Sequence, residues 1–243
     1  IYQGLFEAFG LKHYLPYLVP VLLAHVVALI VIRALMIRCG VQYWIATGLC
    51  IALILFGGGA QNLTWAFQIT FVGSVMFGLL EILCVDHDGP INWRDLLGLV
   101  LGFFAISTAG PGIALVIIAT LVLLMRRRFR AAALQAGPLA FVYLAWYAAY
   151  GRGPDRPETS VYLLTGIPKY IWVGITASLD GLTQLSGIAP VLAIILVGTV
   201  MVLGPTRRAV VAAASLAGIP VFFAITGYGR ITLGTGQAAE GRY

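Results

Sequence analysis

Apolar residues run along this chain in long stretches divided by short polar or glycine-proline breaks, a pattern with the length scale of bilayer-crossing helices. Taking roughly 20 apolar residues per crossing of a core about 30 Å thick, the runs predict an all-α fold. Its expected form is a polytopic transmembrane helix bundle of about eight spans, near 14–37, 42–58, 63–85, 95–109, 111–126, 131–150, 187–204 and 209–226. Ser107-Thr-Ala-Gly-Pro-Gly112 divides the fourth span from the fifth, because Pro111 cannot continue a helix but suits the first turn of a new one. Residues 168–184 are apolar on one side yet carry Lys169, Asp180 and Gln184, and they are read as one interfacial helix. No repeat, low-complexity tract or linker interrupts the chain, so 1–243 reads as a single membrane domain.

Composition agrees with the pattern. Of the residues, 60% are hydrophobic and 10% charged, with a mean hydropathy of +0.97, whereas a soluble domain has about a quarter charged residues. Ile1 at the start and a polar stretch up to Tyr243 lead us to expect an interior piece of a longer protein.

The net charge of +6 is a topology signal, with no nucleic-acid partner implied. Arg126, Arg127, Arg128 and Arg130 form one cluster and Arg207 and Arg208 another, each between apolar runs, as expected of cytoplasmic loops in the positive-inside rule. With eight spans, the loops carrying Arg33/Arg38, Arg94 and both clusters share that side, which places the chain in a cytoplasmic (inner) membrane. The outer side then receives the 58–63 turn, the 107–112 break, the 151–186 loop and the 227–243 tail. Cys39, Cys50 and Cys84 lack zinc or disulfide-framework spacing.

The strongest candidate chemistry lies in Gly57-Gly-Gly-Ala-Gln-Asn-Leu-Thr-Trp-Ala-Phe-Gln68. On a continuous helix Gln61, Trp65 and Gln68 share a face, with Asn62 beside them, and Gln68 lies roughly 9 Å deeper than Asn62. An amide at that depth needs a partner. The face suits either an interhelical hydrogen bond with an interfacial indole, or the wall of a substrate cleft. Ser107 and the helix opening after Pro111 suit either a tight turn or an anion at a helix N-terminus. Arg230 and Arg242 lie on the expected outer side, where an arginine is a loop cation or a bidentate phosphate ligand. Glu81 reads as a snorkelling residue, a partner of Arg94 or a proton-relay carboxylate, and His25 as a packed or hydrogen-bonding membrane histidine.

Tyr14-Leu-Pro-Tyr before a span with His25, the Arg38-Cys-Gly-Val turn, the 57–71 segment, Ser107-Thr-Ala-Gly-Pro-Gly and the closing Arg242-Tyr243 together resemble actinobacterial multi-pass glycosyltransferases of the GT-C type. The resemblance implies transfer of a sugar from a polyprenyl-phosphate-linked donor to an extracytoplasmic acceptor, with membrane lipids as further partners. It implies substrate contacts from Gln61, Asn62, Trp65, Gln68 and Ser107, and donor-phosphate contacts from Arg230 and Arg242. The catalytic acid of such proteins sits in a first outer loop, expected upstream of residue 1. No cofactor is specified, and a divalent cation is compatible with a phosphate-linked donor. A transporter or lipid flippase, and a non-catalytic scaffold of the same fold, remain the alternatives; the sequence specifies no oligomeric state.

Overall fold

A computed structural model describes residues 2–10, 12–54, 63–151, 161–183, 187–203, 206–230 and 234–239. Among them are ten α-helices and no strand: α1 Tyr2–Phe9, α2 Leu15–Arg38, α3 Tyr43–Ile54, α4 Ile69–Val85, α5 Trp93–Thr108, α6 Pro111–Met125, α7 Phe129–Tyr150, α8 Val161–Thr183, α9 Ala189–Leu203 and α10 Val210–Arg230. Short 3₁₀ turns lie at Ala66–Gln68 and Thr235–Ala239.

Four stretches are long and apolar enough to cross a membrane: Leu15–Arg38, Ala66–Val85, Phe129–Tyr150 and Val210–Arg230. The expectation of eight spans is corrected here. The other apolar helices are shorter; Pro111–Met125 has 15 residues, and at 1.5 Å per residue that is about 22 Å, less than the core thickness. Unbroken hydropathy marks such segments as membrane-like without saying how much of each run is helix.

Two pins align α2 with α4. At one end the Tyr14 hydroxyl donates to the Thr64 carbonyl and accepts from the Ala66 N–H. At the other, Arg38 donates to the carbonyls of Leu83 and Asp86. Helix α5 returns antiparallel to α4, with Gly98 against Val85, Gly102 against Glu81, and the Ser74 hydroxyl donating to the carbonyls of Ala105 and Ala109. The Gly110-Pro111 turn starts α6 with proline in its first turn, and Gly112 lies so near the Ala105 carbonyl that a Cβ would fall 2.1 Å from that oxygen. Glycine is required there. Gly218 admits Ile118, which brings α10 onto α6.

Helix α8 starts at Val161 and runs through Pro168, seven residues before the expected start of an interfacial helix at 168. It packs lengthwise and antiparallel on α10, with Gly174 against Phe223 and Tyr170, 0% exposed, against Gly227. Asp180 accepts from the backbone N–H groups of Gly187 and Ala189, which ties the end of α8 to the start of α9. Ile171, Val173 and Ile175 of α8 pack into the same cluster as Tyr170, Phe222 and Phe223.

The bundle therefore has two unlike halves. Toward the end that holds the Arg126–Arg128 turn, Val31, Leu35, Ile82, Val85, Leu123 and Val210 belong to a continuous buried core. The half toward Trp65 and Pro111 contains a cavity.

Candidate functional site

The arginine-rich end is closed by an ion-pair layer. The α4–α5 connection supplies Asp86, Asp88 and the capping box Asn92-Trp-Arg-Asp95, in which Asn92 and Asp95 satisfy the first N–H groups of α5 reciprocally. Arg126 binds Asp86 through Nε and Nη2 and reaches Asp88 at 3.1 Å, while Arg38 and Arg207 approach the same two carboxylates. Arg128 donates to the carbonyls of Val85, Gly89 and Pro90 and to Asp95 Oδ2 at 2.9 Å, where His87 Nε2 also arrives at 3.2 Å. Burial raises the Asp95 carboxyl, but hydrogen bonds from Arg128 and the Asn92 N–H, with the charges of Arg128 and His87, outweigh it and hold the group below the usual carboxylate range. Arg126 and Arg128 are thus structural cross-braces, while Arg127 and Arg130 stay exposed.

Trp65, Gln68, Ser107 and Arg230 lie at the opposite end. Trp65 is 55% exposed and its backbone is extended, a 3₁₀ turn follows at Ala66–Gln68, and α4 proper begins at Ile69. Trp65 and Gln68 therefore do not lie on one continuous helix. The Tyr14 hydroxyl binds the backbone at this break, at the Thr64 carbonyl and the Ala66 N–H. Gln61 and Asn62 lie outside the described residues, as does Arg242. Gln68 is half-buried at the N-terminus of α4 and its side chain makes no capping bond. Ser107 is exposed one residue before the end of α5, and Arg230 is half-buried at the end of α10. The four share an end of the bundle, with no hydrogen bond among them.

Beside that end, α2, α3, α4, α6, α8 and α10 line a cavity of about 570 Å³. Leu53 and Leu63, which flank the 55–62 segment, contribute to its wall, together with Val75, Ala114 and Phe223. Its polar side chains are His25, Ser178 and Ser215. His25 Nε2 is buried without a hydrogen-bond partner.

A second buried polar feature lies deeper, between α4, α5 and α7. Glu81 and Gln135 are both 0% exposed, and Gln135 Nε2 donates to Glu81 Oε1 at 2.7 Å. Glu81 Oε2 and Gln135 Oε1 have no partner. The expected pairing of Glu81 with Arg94 is corrected: Arg94 donates instead to the Leu83 carbonyl. Sequence reading passed over Gln135, whose visible signal is a lone amide mid-helix, and over Gly98 and Gly102, whose i, i+4 spacing opens the groove that Glu81 and Gln135 enter. Among the described residues, no group of three or more His, Cys, Asp or Glu side chains is placed to hold a metal ion. Compared with protein-family models, with curated proteins and with solved structures, the chain matches none of them.

Proposed function

We propose that this chain is the membrane domain of a glycosyltransferase that moves a sugar from a polyprenyl phosphate to an extracytoplasmic acceptor in the cytoplasmic membrane. What supports the reading is segregation of charge and exposure. One end of the bundle pairs Arg38, Arg126, Arg128 and Arg207 with aspartates, as suits a cytoplasmic face. The other presents an exposed indole, a half-buried amide and the α10 arginine. In this reading that end is the outer face, where Trp65 and Gln68 contact the sugar, Arg230 neutralises the departing lipid phosphate, and Ser107 lines the entrance; Gln61, Asn62 and Arg242 complete the set from outside the described residues.

The test is transfer by the full-length protein in proteoliposomes supplied with a panel of radiolabelled polyprenyl-phosphate sugars. Gln68→Leu is expected to lower turnover by about tenfold, the loss of one or two hydrogen bonds in the transition state, with unchanged expression. Absence of transfer from every donor overturns the reading, and unaltered turnover in the variant removes Gln68 from the site. One observation favours a transporter instead, the buried Glu81–Gln135 pair, since ionisable groups inside a membrane commonly line ion pathways. Proton-driven uptake in vesicles, abolished by Glu81→Gln, is the result that supports it.

A further inference from the structure

The cavity between α2, α3, α4, α6, α8 and α10 has the size of a ligand site, since such pockets run to about 300–1,000 Å³. Its wall is mostly aliphatic and aromatic, and no charged side chain among the described residues lines it. A phosphate or ammonium placed inside would have no counter-charge, and such desolvation costs several kcal/mol per ion. The occupant that fits is therefore uncharged. It is not a pure hydrocarbon either. His25 lies ten residues into α2, about 15 Å from Leu15 along the axis, and its buried Nε2 meets no protein partner. An unpaired buried nitrogen is destabilising, and a ligand hydroxyl or carbonyl at that depth relieves it.

We propose that this cavity binds an uncharged single-chain lipid, an aliphatic or isoprenoid alcohol or its carbonyl analogue, whose polar group hydrogen-bonds His25 while its chain lies against Val75, Ala114 and Phe223. The site does not depend on glycosyl transfer. A polyprenyl phosphate presents its charge at Trp65 and Arg230 in that reading, whereas the cavity selects against charge. Ser215, on α10, is the second polar group available to the same head.

The test uses the full chain in nanodiscs and a diazirine-bearing farnesol probe, with crosslinks mapped by peptide mass spectrometry. Crosslinks are expected on α2 near His25 and on α10 near Ser215 and Phe223. Unlabelled farnesol and hexadecanol should compete, whichever chain type the cell supplies. The matching hydrocarbons should compete three- to tenfold less well, the worth of one hydrogen bond. Farnesyl phosphate should compete less well than farnesol. His25→Leu should erase the preference for alcohol over hydrocarbon while leaving hydrocarbon competition in place, and Val75→Phe, which narrows the cavity from a half-buried wall position, should weaken both. Circular dichroism of each variant confirms that the bundle is intact. Crosslinks confined to other helices, farnesyl phosphate competing as well as farnesol, or an alcohol preference that survives His25→Leu would each overturn the proposal. Because no sugar donor is used, a failure here is separable from a failure of the transferase reading.

Discussion

Replacing Arg128 by methionine removes the guanidinium that ties the α4–α5 connection to the start of α7 while keeping much of its aliphatic bulk. Asp95 has a side chain only 1% exposed, and Arg128 Nη2 sits 2.9 Å from its Oδ2. Breaking a buried ion pair by deleting one partner costs about 3–5 kcal/mol, because the remaining charge is left uncompensated. Here the Asn92 N–H and His87 Nε2 still reach the same oxygen, so the lower end, about 3 kcal/mol, is expected. Asp95→Asn in the same background should recover about 2 kcal/mol by removing the orphaned charge, a coupling readable from a double-mutant cycle. The assay is reversible unfolding in mixed micelles, followed by tryptophan fluorescence. The pH dependence supplies an independent sign. Asp95 has a folded-state pKa below its unfolded value of about 3.9, so its contribution is complete above that value and fades as pH falls through the folded one. Wild-type protein should therefore lose this stability on acidification below about pH 4, and Arg128→Met should show a shallower loss. A destabilisation below about 1 kcal/mol, or an acid profile identical to wild type, refutes the view that this pair braces the bundle.

Gly112→Ala sets a Cβ 2.1 Å from a backbone oxygen, whereas Gly78→Ala places one 2.5 Å from the Leu115 Cβ, so both force a helix shift and the first forces the larger one. Overpacking costs about 1–3 kcal/mol, so the first variant should be the less stable by the same unfolding assay, and the reverse order rejects the close α5–α6 approach. Gln135→Leu takes away the donor to Glu81 and should destabilise by about 2–4 kcal/mol, while Gln135→Leu with Glu81→Leu should recover most of it; no recovery shows that the two side chains are not coupled. In a cysteine-free background, Ser107→Cys and Arg130→Cys should label from opposite sides of sealed vesicles, and labelling from one side contradicts the two-ended arrangement of α5 and α7.

Much of the helical framework was legible because hydrophobic run length and proline punctuation act locally. Leu15–Arg38 lies within one residue of the expected 14–37 at each end, and Pro111 opens α6 where its missing N–H and fixed φ predict. Span counting was less legible, since hydropathy does not distinguish a 15-residue helix plus flanks from a full crossing. The helix expected through 63–85 is interrupted at Trp65, where a non-local contact sits: Tyr14, fifty residues away from Thr64, binds that backbone.

The arginine clusters show the division most clearly. Their positions between apolar runs belong to the sequence, and so does the inference that their loops share one side. That Arg126 and Arg128 are spent on Asp86 and Asp95 depends on which helices pack together, and glycines at 78, 98, 102, 112 and 218 set those approaches by omitting a Cβ. The cavity beside His25 likewise exists only where six helices meet. Sequence determined an all-helical chain rich in membrane-length segments, because local propensity and hydrophobicity are properties of neighbours. Tertiary structure decided which polar groups are satisfied and which are left open, because a hydrogen bond or an ion pair depends on ångström distances between residues far apart in the chain.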